Sequence, residues 1–486
     1  MSLGRDTVRG ALWTVAAGMG ARALGLVGTL VVTRFVSPAD YGEVTVAAVL
    51  VMSANQLSTV GLGQYVVSRP DADRPMAFHA TTFHLLLGAL ALGALLAAGT
   101  RLDAALDVPT MSHFLPGLAV SALLDRIAFV PERILMRDLR FGAAGAGRTA
   151  GELVYAGCCA GLAATGWGPA SIVVGNVARS LVRAVVFVAA VDRRDWLEPC
   201  RLSIEKTREL LAFGLPISLG ALCGFASRRW DNLLVSRFFG AGPAGMYNLA
   251  YNLADVPAIY VGEQIGDVLL PSFARMDAGR RPAALVRSMA LLAVVVFPLA
   301  VGLGAVAPTL VESLFRASWR PIGPMLVVLS ALSVTRPIGW TIASYLQARR
   351  LPRAILGLEA LKLTILTLTI VTLGARSPLW TCAAVGVAFG AHALASLWLV
   401  RRIDGVPLGR LFHDLGMVLL ACAPMVVAVT GVRFALASTG AVPPLERLAV
   451  ETLVGALVYP PAAWLLARST TRDLTGRVLD AVRVPA

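Results

Sequence analysis

Thr33–Ala47, TRFVSPADYGEVTVA, returns 203 residues later as Ser236–Ala250, SRFFGAGPAGMYNLA. Arg34 aligns with Arg237, Phe35 with Phe238, Gly42 with Gly245, Val46 with Leu249 and Ala47 with Ala250. Each copy sits in the turn between two apolar runs, so the chain reads as a tandem repeat. An apolar stretch of about 18 residues or more is long enough to cross a bilayer as a helix. Fourteen such stretches occur, at about 11–33, 42–63, 78–99, 112–132, 143–164, 168–191, 212–235, 243–266, 285–306, 322–347, 354–374, 378–400, 411–432 and 447–467.

The expected fold is therefore an all-α polytopic membrane protein of about fourteen helices. Residues 1–209 form one six-helix half, 210–403 a second, and 404–486 hold helices 13 and 14 with a tail. Six is even, so both halves enter the membrane from the same side. Parallel repeats about a midplane cleft suit alternating access, one half rocking against the other. The first run is too long for a signal-peptide core, and no small-residue cleavage pattern follows it, so it is expected to remain in the mature protein.

Composition agrees. Of 486 residues, 57% are hydrophobic and 15% charged, against about 25% charged in soluble domains. A water-soluble enzyme is excluded. The 43 Lys+Arg against 29 Asp+Glu follow topology: with the N-terminus inside, cytoplasmic segments carry 27 basic residues and external loops 8, the positive-inside bias. Both termini are then cytoplasmic, and the +14 charge is not a nucleic-acid footprint. The six cysteines lack CxxC or zinc spacing, and the five histidines form no ligand-spaced pair. No cofactor, metal or enzymatic activity is expected.

Eight basic residues fall inside the spans: Arg22, Arg126, Arg179, Arg183, Arg228, Arg229, Arg336 and Lys362. A lipid-facing arginine at a helix centre costs about 2.5–3.5 kcal/mol on insertion scales, so these must face protein or a watered cavity. The intramembrane acids are Asp125, Glu152, Asp231, Asp255 and Glu359. Glu359 is expected to pair with Lys362 and Asp231 with Arg228. The remaining guanidinium surplus suits an anion, phosphate above all, since the planar fork matches phosphate oxygens. Arg126, Arg133, Arg137 and Arg140 lie on one helical face leading to the cytoplasmic mouth, as would an ordinary positive-inside helix end. Asn248, Asn252, Asp255, Glu263 and Asp267 form a polar stripe on the eighth helix beside Tyr247 and Tyr251. Together with Asn55 and Gln56 on the second helix, this stripe reads as the wall of a sugar-sized cavity. Asp125, Asp231 and Asp255 are candidates for ion coupling.

The stretch RRWDNLLVSRFFGAGPAGMYNLAYNLADVP (Arg228–Pro257) resembles the start of the second half of bacterial oligosaccharide flippases. These form the polysaccharide-transporter branch of the multidrug/oligosaccharidyl-lipid/polysaccharide exporter superfamily. Thr33–Leu50, followed by STVGLGQYVVSR (Ser58–Arg69), is similar to the opening of that family. The resemblance implies a multi-pass protein of the cytoplasmic membrane. It also implies passage of an oligosaccharide linked to undecaprenyl pyrophosphate across the bilayer, for cell-surface polysaccharide assembly. An ion gradient or the membrane potential would drive it, and polymerase or glycosyltransferase partners would work beside a monomer. A cavity arginine on the first helix matters in related lipid II flippases; Arg22 stands at that position here, and its repeat-equivalent is Phe225. The alternative on the same fold is a drug or cation antiporter, which would want an acidic cavity.

Overall fold

A computed structural model describes residues 28–59, 74–138, 140–439 and 442–483, with Gly20 and Gly25 of the first span. Among these residues the chain is helical, with no strand. Each expected span after the first coincides with a helix: α1 (Pro38–Leu57), α2 (Arg74–Leu106), α3 (Leu115–Arg137), α4 (Phe141–Ala164) and α5 (Ala170–Ala190). Then come α6 (Ile204–Phe239), α7 (Ala241–Arg275) and α8 (Arg281–Leu314). The tenth span is two helices, α9 (Ile322–Leu332) and α10 (Arg336–Ala348), joined by a short 3-10 turn. Four helices follow, α11 (Pro352–Thr372), α12 (Pro378–Asp404), α13 (Leu408–Thr439) and α14 (Pro444–Leu466), before a terminal α15 (Arg468–Arg483). Among the described residues, eight helical segments are long and apolar enough to cross a membrane by length and composition alone. The helices outside that set include α3, with Asp125, Arg126, Glu132 and Arg133, and α4, with Arg148 and Glu152.

Local chemistry sets the ends of these helices. Ser37 caps α1: its hydroxyl accepts the Asp40 N–H at 3.2 Å and donates to the Asp40 carboxylate at 2.7 Å, and Pro38 fills the first helical position. Ser377 caps α12 in the same way, accepting from Trp380 N at 3.3 Å. Gly405, at φ 66°, ends α12 in the left-handed conformation that a side chain disfavours. On α12, Trp380 and Trp398 are both about half exposed and stand 18 residues apart. That is five full turns, so they share a face about 27 Å apart along the axis, close to the ~30 Å thickness of bilayer hydrocarbon. Arg376 lies 5.9 Å from the Trp380 ring and Arg402 4.5 Å from the Trp398 ring. Amphipathic rings backed by guanidinium groups at both ends are what the two bilayer interfaces select.

The chain divides into two compact units, residues 1–245 and 246–486. The first holds an apolar cluster of Ala80, Ala128, Ile134, Leu135, Phe187 and Trp196. The second is centred on α8, α10, α12 and α13, where Phe273 meets Tyr345 edge-on at 5.4 Å. At one end of that core the Tyr345 hydroxyl donates to Asp404 at 2.6 Å, and Arg349 reaches the same carboxylate at 3.0 Å.

Within the first unit the two aligned stretches approach each other closely. A Cβ on Gly42 would fall on the carbonyl oxygen of Ala241, and a Cβ on Gly245 would fall on that of Pro38. Gly42 aligns with Gly245 and Pro38 with Ala241 at the same 203-residue offset, so the contact is reciprocal, as at a two-fold axis. Glycine is required at both places because the obstacle is backbone, which cannot rotate away.

Gly42→Ala and Gly245→Ala should therefore each destabilise the protein by about 1–3 kcal/mol through overpacking. Gly93→Ala, which would meet nothing within 4 Å, should leave the melting temperature unchanged or raised. A detergent-solubilised thermal melt followed by size exclusion reads the difference. Equal melting of all three variants would remove the close crossing.

Candidate substrate site in the charged helices

On α3, Asp125, Phe129, Glu132 and Met136 recur at spacings of four, three and four, which is one helical face. Arg126 and Arg133, seven apart, stand beside it. Arg179 and Arg183, one turn apart on α5, come across to this face and to α4. Arg179 Nη1 is 3.6 Å from Glu152 Oε1, and its Nη2 donates to Asn176 Oδ1 at 2.6 Å. The Tyr155 ring lies 5.1 Å from the same guanidinium. Arg183 stands 3.3 Å from Asp125 Oδ1 and 3.6 Å from Glu132 Oε2. Arg148 holds Glu132 more tightly, through a 2.7 Å hydrogen bond from Nε. Both α5 arginines lie across Gly151 of α4, where a Cβ would meet Arg183 Cγ at 2.9 Å and Arg179 Cγ at 3.3 Å.

This cluster sets three carboxylates (Asp125, Glu132, Glu152) against five guanidinium groups (Arg126, Arg133, Arg148, Arg179, Arg183). Arg126 is expected on a cavity, but the structure seals it, at 1% exposure. Its Nη2 donates to the Asn55 carbonyl at 2.9 Å and to Ser58 Oγ, and its Nη1 to the His84 carbonyl. Asn55 lies in the last turn of α1, whose unpaired carbonyls are the negative end of the helix dipole. Carbonyl oxygens thus compensate this cation where an external anion was expected. Gly88 of α2 makes the slot, since a Cβ there would fall on the Arg126 side chain.

Arg133 is different. Among the described residues it forms no ion pair; Nη1 rests 3.7 Å from Met136 Sδ, and Nε is buried without a hydrogen-bond partner. Its guanidinium sits 5.0 Å from the Phe129 ring, whose other neighbour is the His84 ring, stacked at 4.4 Å. Further along, Arg137 pairs with Asp138 at 2.9 Å, and Arg140 caps the end of α5 by donating to the Ala190 carbonyl at 2.7 Å.

Elsewhere in the first unit, Asn55 and Gln56 are half-buried and Arg228 is exposed. Asp231 is 1% exposed, its Oδ1 accepting from the Asn232 backbone and side-chain amides. The Arg228–Asp231 pair expected from spacing is not among the ion pairs of the described residues. On a helix, positions three apart meet only if both side chains turn to the same surface, and here one faces out and the other in. Arg229 is half-buried beside them.

In the second unit the described interior cations have acidic partners. Arg336 pairs with Asp255 and lies 5.1 Å from both the Tyr251 and Phe389 rings. Lys362 meets Glu359 at 2.6 Å, the pair expected from spacing, and lies 5.3 Å from the same Phe389 ring. His392 Nε2 stands 3.9 Å from Glu359. Tyr247 and Tyr251, expected on a cavity wall, are buried at 0% and 2% exposure, their rings 5.9 Å apart. Asn252 donates to the Asn248 side chain at 2.8 Å. Arg22 lies outside the described residues, as do the side chains of Glu263 and Asp267.

Sequence reasoning passes over Glu132, Arg148, His84 and Phe389. Glu132 carried a usable signal, standing seven residues from Asp125 on one face. His84 and Phe389 carried none, since their roles depend on helices distant in sequence.

A profile of the family described as polysaccharide biosynthesis protein matches residues 31–324. The chain is 26% identical to the lipopolysaccharide biosynthesis protein WzxC of Escherichia coli over 72% of this chain and 71% of that one. It is 24% identical to the succinoglycan biosynthesis transport protein ExoT of Rhizobium meliloti over 99% and 96%. Among solved structures, lipid II flippase MurJ in an inward closed conformation superposes with a TM-score of 0.77, at 14% identity, over 94% of this chain and 99% of that one.

Arg126→Met should behave as a folding defect. Removing the donor strands buried carbonyls, at about 1–3 kcal/mol for each acceptor left unsatisfied. The purified variant should melt several degrees lower, and Arg133→Met, which strands no carbonyl, should melt close to wild type. The reverse order would contradict the assignment of Arg126 to helix-end neutralisation.

Proposed function

The chain belongs to the polysaccharide biosynthesis protein family, and from that premise we propose that it flips a lipid-linked oligosaccharide. The cargo is of the undecaprenyl pyrophosphate type, and it crosses from the inner to the outer leaflet of the cytoplasmic membrane by alternating access. The chain is a multi-span protein of that membrane. The observation that carries the reading is the charge imbalance on α3–α5, where Arg133 forms no ion pair among the described residues and Arg179 and Arg183 hold theirs loosely.

A pyrophosphate is the anion that fits. Its oxygens accept paired N–H donors from guanidinium groups in fork geometry, which a carboxylate at 3.3–3.6 Å does not exploit here. Arg137 and Arg140 stand at the end of α3 that the arginine bias assigns to the cytoplasm, where the diphosphate would arrive. Arg133, Arg179 and Arg183 would receive it, while the polyprenyl tail stays in lipid and the glycan passes polar residues of the first unit such as Asn55 and Gln56. Arg22, Arg228 and Arg229 would extend the basic path. Arg336, paired with Asp255, serves as a fixed charge, and Asp125, Asp231 and Asp255 remain the residues through which an ion would act. The protein would work as a monomer beside the polymerase and glycosyltransferases of its pathway.

Arg133→Gln and Arg183→Gln should each cut surface-polymer export by about tenfold or more, the loss of a charge-assisted phosphate contact, with membrane protein levels unchanged. Immunoblotting of polymer and protein in a complemented deletion strain checks this. Normal export in both variants would overturn the site. A strain that keeps its polymer but becomes sensitive to cationic dyes on deletion would favour the antiporter reading.

A further inference from the structure

We propose that Asp125 and Glu152 are internal competitors for the cargo. They occupy Arg183 and Arg179 in the empty protein, give them up to an arriving diphosphate, and by retaking them drive its release. This rests on the reading of α3–α5 as the diphosphate site, and it assigns those acids a part that neither helix registry nor ion coupling requires.

Four observations carry it. First, the cluster contains two grades of contact. Arg148–Glu132 is a hydrogen bond at 2.7 Å, whereas Arg179–Glu152 and Arg183–Asp125 stand at 3.6 and 3.3 Å without hydrogen-bond geometry. Second, the loose pairs leave polar atoms unspent: Nε of Arg179, Nε of Arg183 and Oδ1 of Asp125 are buried with no hydrogen-bond partner. A guanidinium whose Nε is idle still has half of a bidentate fork to offer. Third, the four side chains are each about a quarter exposed, against 8% for Glu132, so part of each is accessible although the idle Nε atoms lie beneath. Fourth, the framework around them is fixed by other bonds. Asn176 holds Arg179 at 2.6 Å and Tyr155 lies against it, while Gly151 lets both arginines lie flat on α4.

Two guanidinium groups whose carboxylate partners are loosely paired make an exchangeable site. A diphosphate offering well-oriented oxygens displaces carboxylates that make none of those bonds. The displaced acids stay tethered one side-chain length away, at high effective concentration. A carrier needs binding weak enough to let go, and a tethered competitor supplies that without weakening the fork itself.

The test uses the full-length protein in nanodiscs, with inorganic pyrophosphate and a polyprenyl pyrophosphate as separate probes in titration calorimetry. Asp125→Asn/Glu152→Gln keeps side-chain size and removes the competing charge. It should bind both probes about five- to tenfold more tightly than wild type, the factor corresponding to a partly exposed ion pair, and it should export less polymer in cells. Tighter binding with slower export is a split that a merely structural role would not produce. Binding equal to or weaker than wild type in a double variant of unchanged melting temperature overturns the proposal; if the double variant melts early, the single variants decide by the same criterion. Failure of the wild type to bind either probe would instead overturn the site on which the proposal rests. Binding of free pyrophosphate alone, without the lipid form, would also count against it.

Discussion

A guanidinium group cannot lose its proton and cannot be left bare in hydrocarbon, and the arrangement of this protein's interior follows from that constraint. Three solutions occur side by side. Carbonyl oxygens at a helix end and on a neighbouring helix enclose Arg126. Carboxylates take Arg148, Arg179, Arg183 and Arg336. Aromatic faces support Arg133, Arg336 and Arg402, through Phe129, Phe389 and Trp398. Breaking a buried pair by removing one partner costs several kcal/mol, about 3–5 in measured cases, so the choice of partner at each arginine decides whether it is fixed or available.

That distinction separates the two units. In residues 246–486, among the described residues, Arg336 pairs with Asp255 and Lys362 with Glu359 around Phe389, giving a cross-linked group of helices. In residues 1–245 the sum does not close: after the helix end has absorbed Arg126, Arg133 remains without an anion among the described residues and two neighbours are held at arm's length. Membership of a polysaccharide biosynthesis family is the ground for the proposal that an anionic cargo meets that imbalance. Phosphorylated lipid carriers bring the charge that would complete it.

How much of this could be read from the sequence depends on the distance over which each feature is determined. The helices were legible because a membrane span is a local property of about twenty residues. The alignment of Gly42 with Gly245 was legible, and the structure gives both glycines a steric role, since each faces the backbone of the other stretch. Glu359–Lys362 was legible because one helical turn joins them. Arg228–Asp231 was equally close in sequence and was misread, because proximity along a helix does not say which surface either residue faces. Tyr247 and Tyr251 looked like wall residues and are core, since a tyrosine at a helix crossing and one at a cavity have the same local pattern. The partners of Arg126 could not have been found, because its acceptors are two carbonyls and the Ser58 hydroxyl, 42 to 71 residues away, and such groups are everywhere along the chain.

The account is tested most directly by translocation in proteoliposomes. A fluorescent oligosaccharide on a polyprenyl pyrophosphate would be followed by quencher access, beside the same glycan on a polyprenyl chain with a neutral linkage. Protein-dependent passage of the diphosphate form is expected, with the neutral form passing no faster than in empty liposomes. Equal passage of both forms would contradict it, since the surplus charge on α3–α5 would then have no part in choosing the cargo.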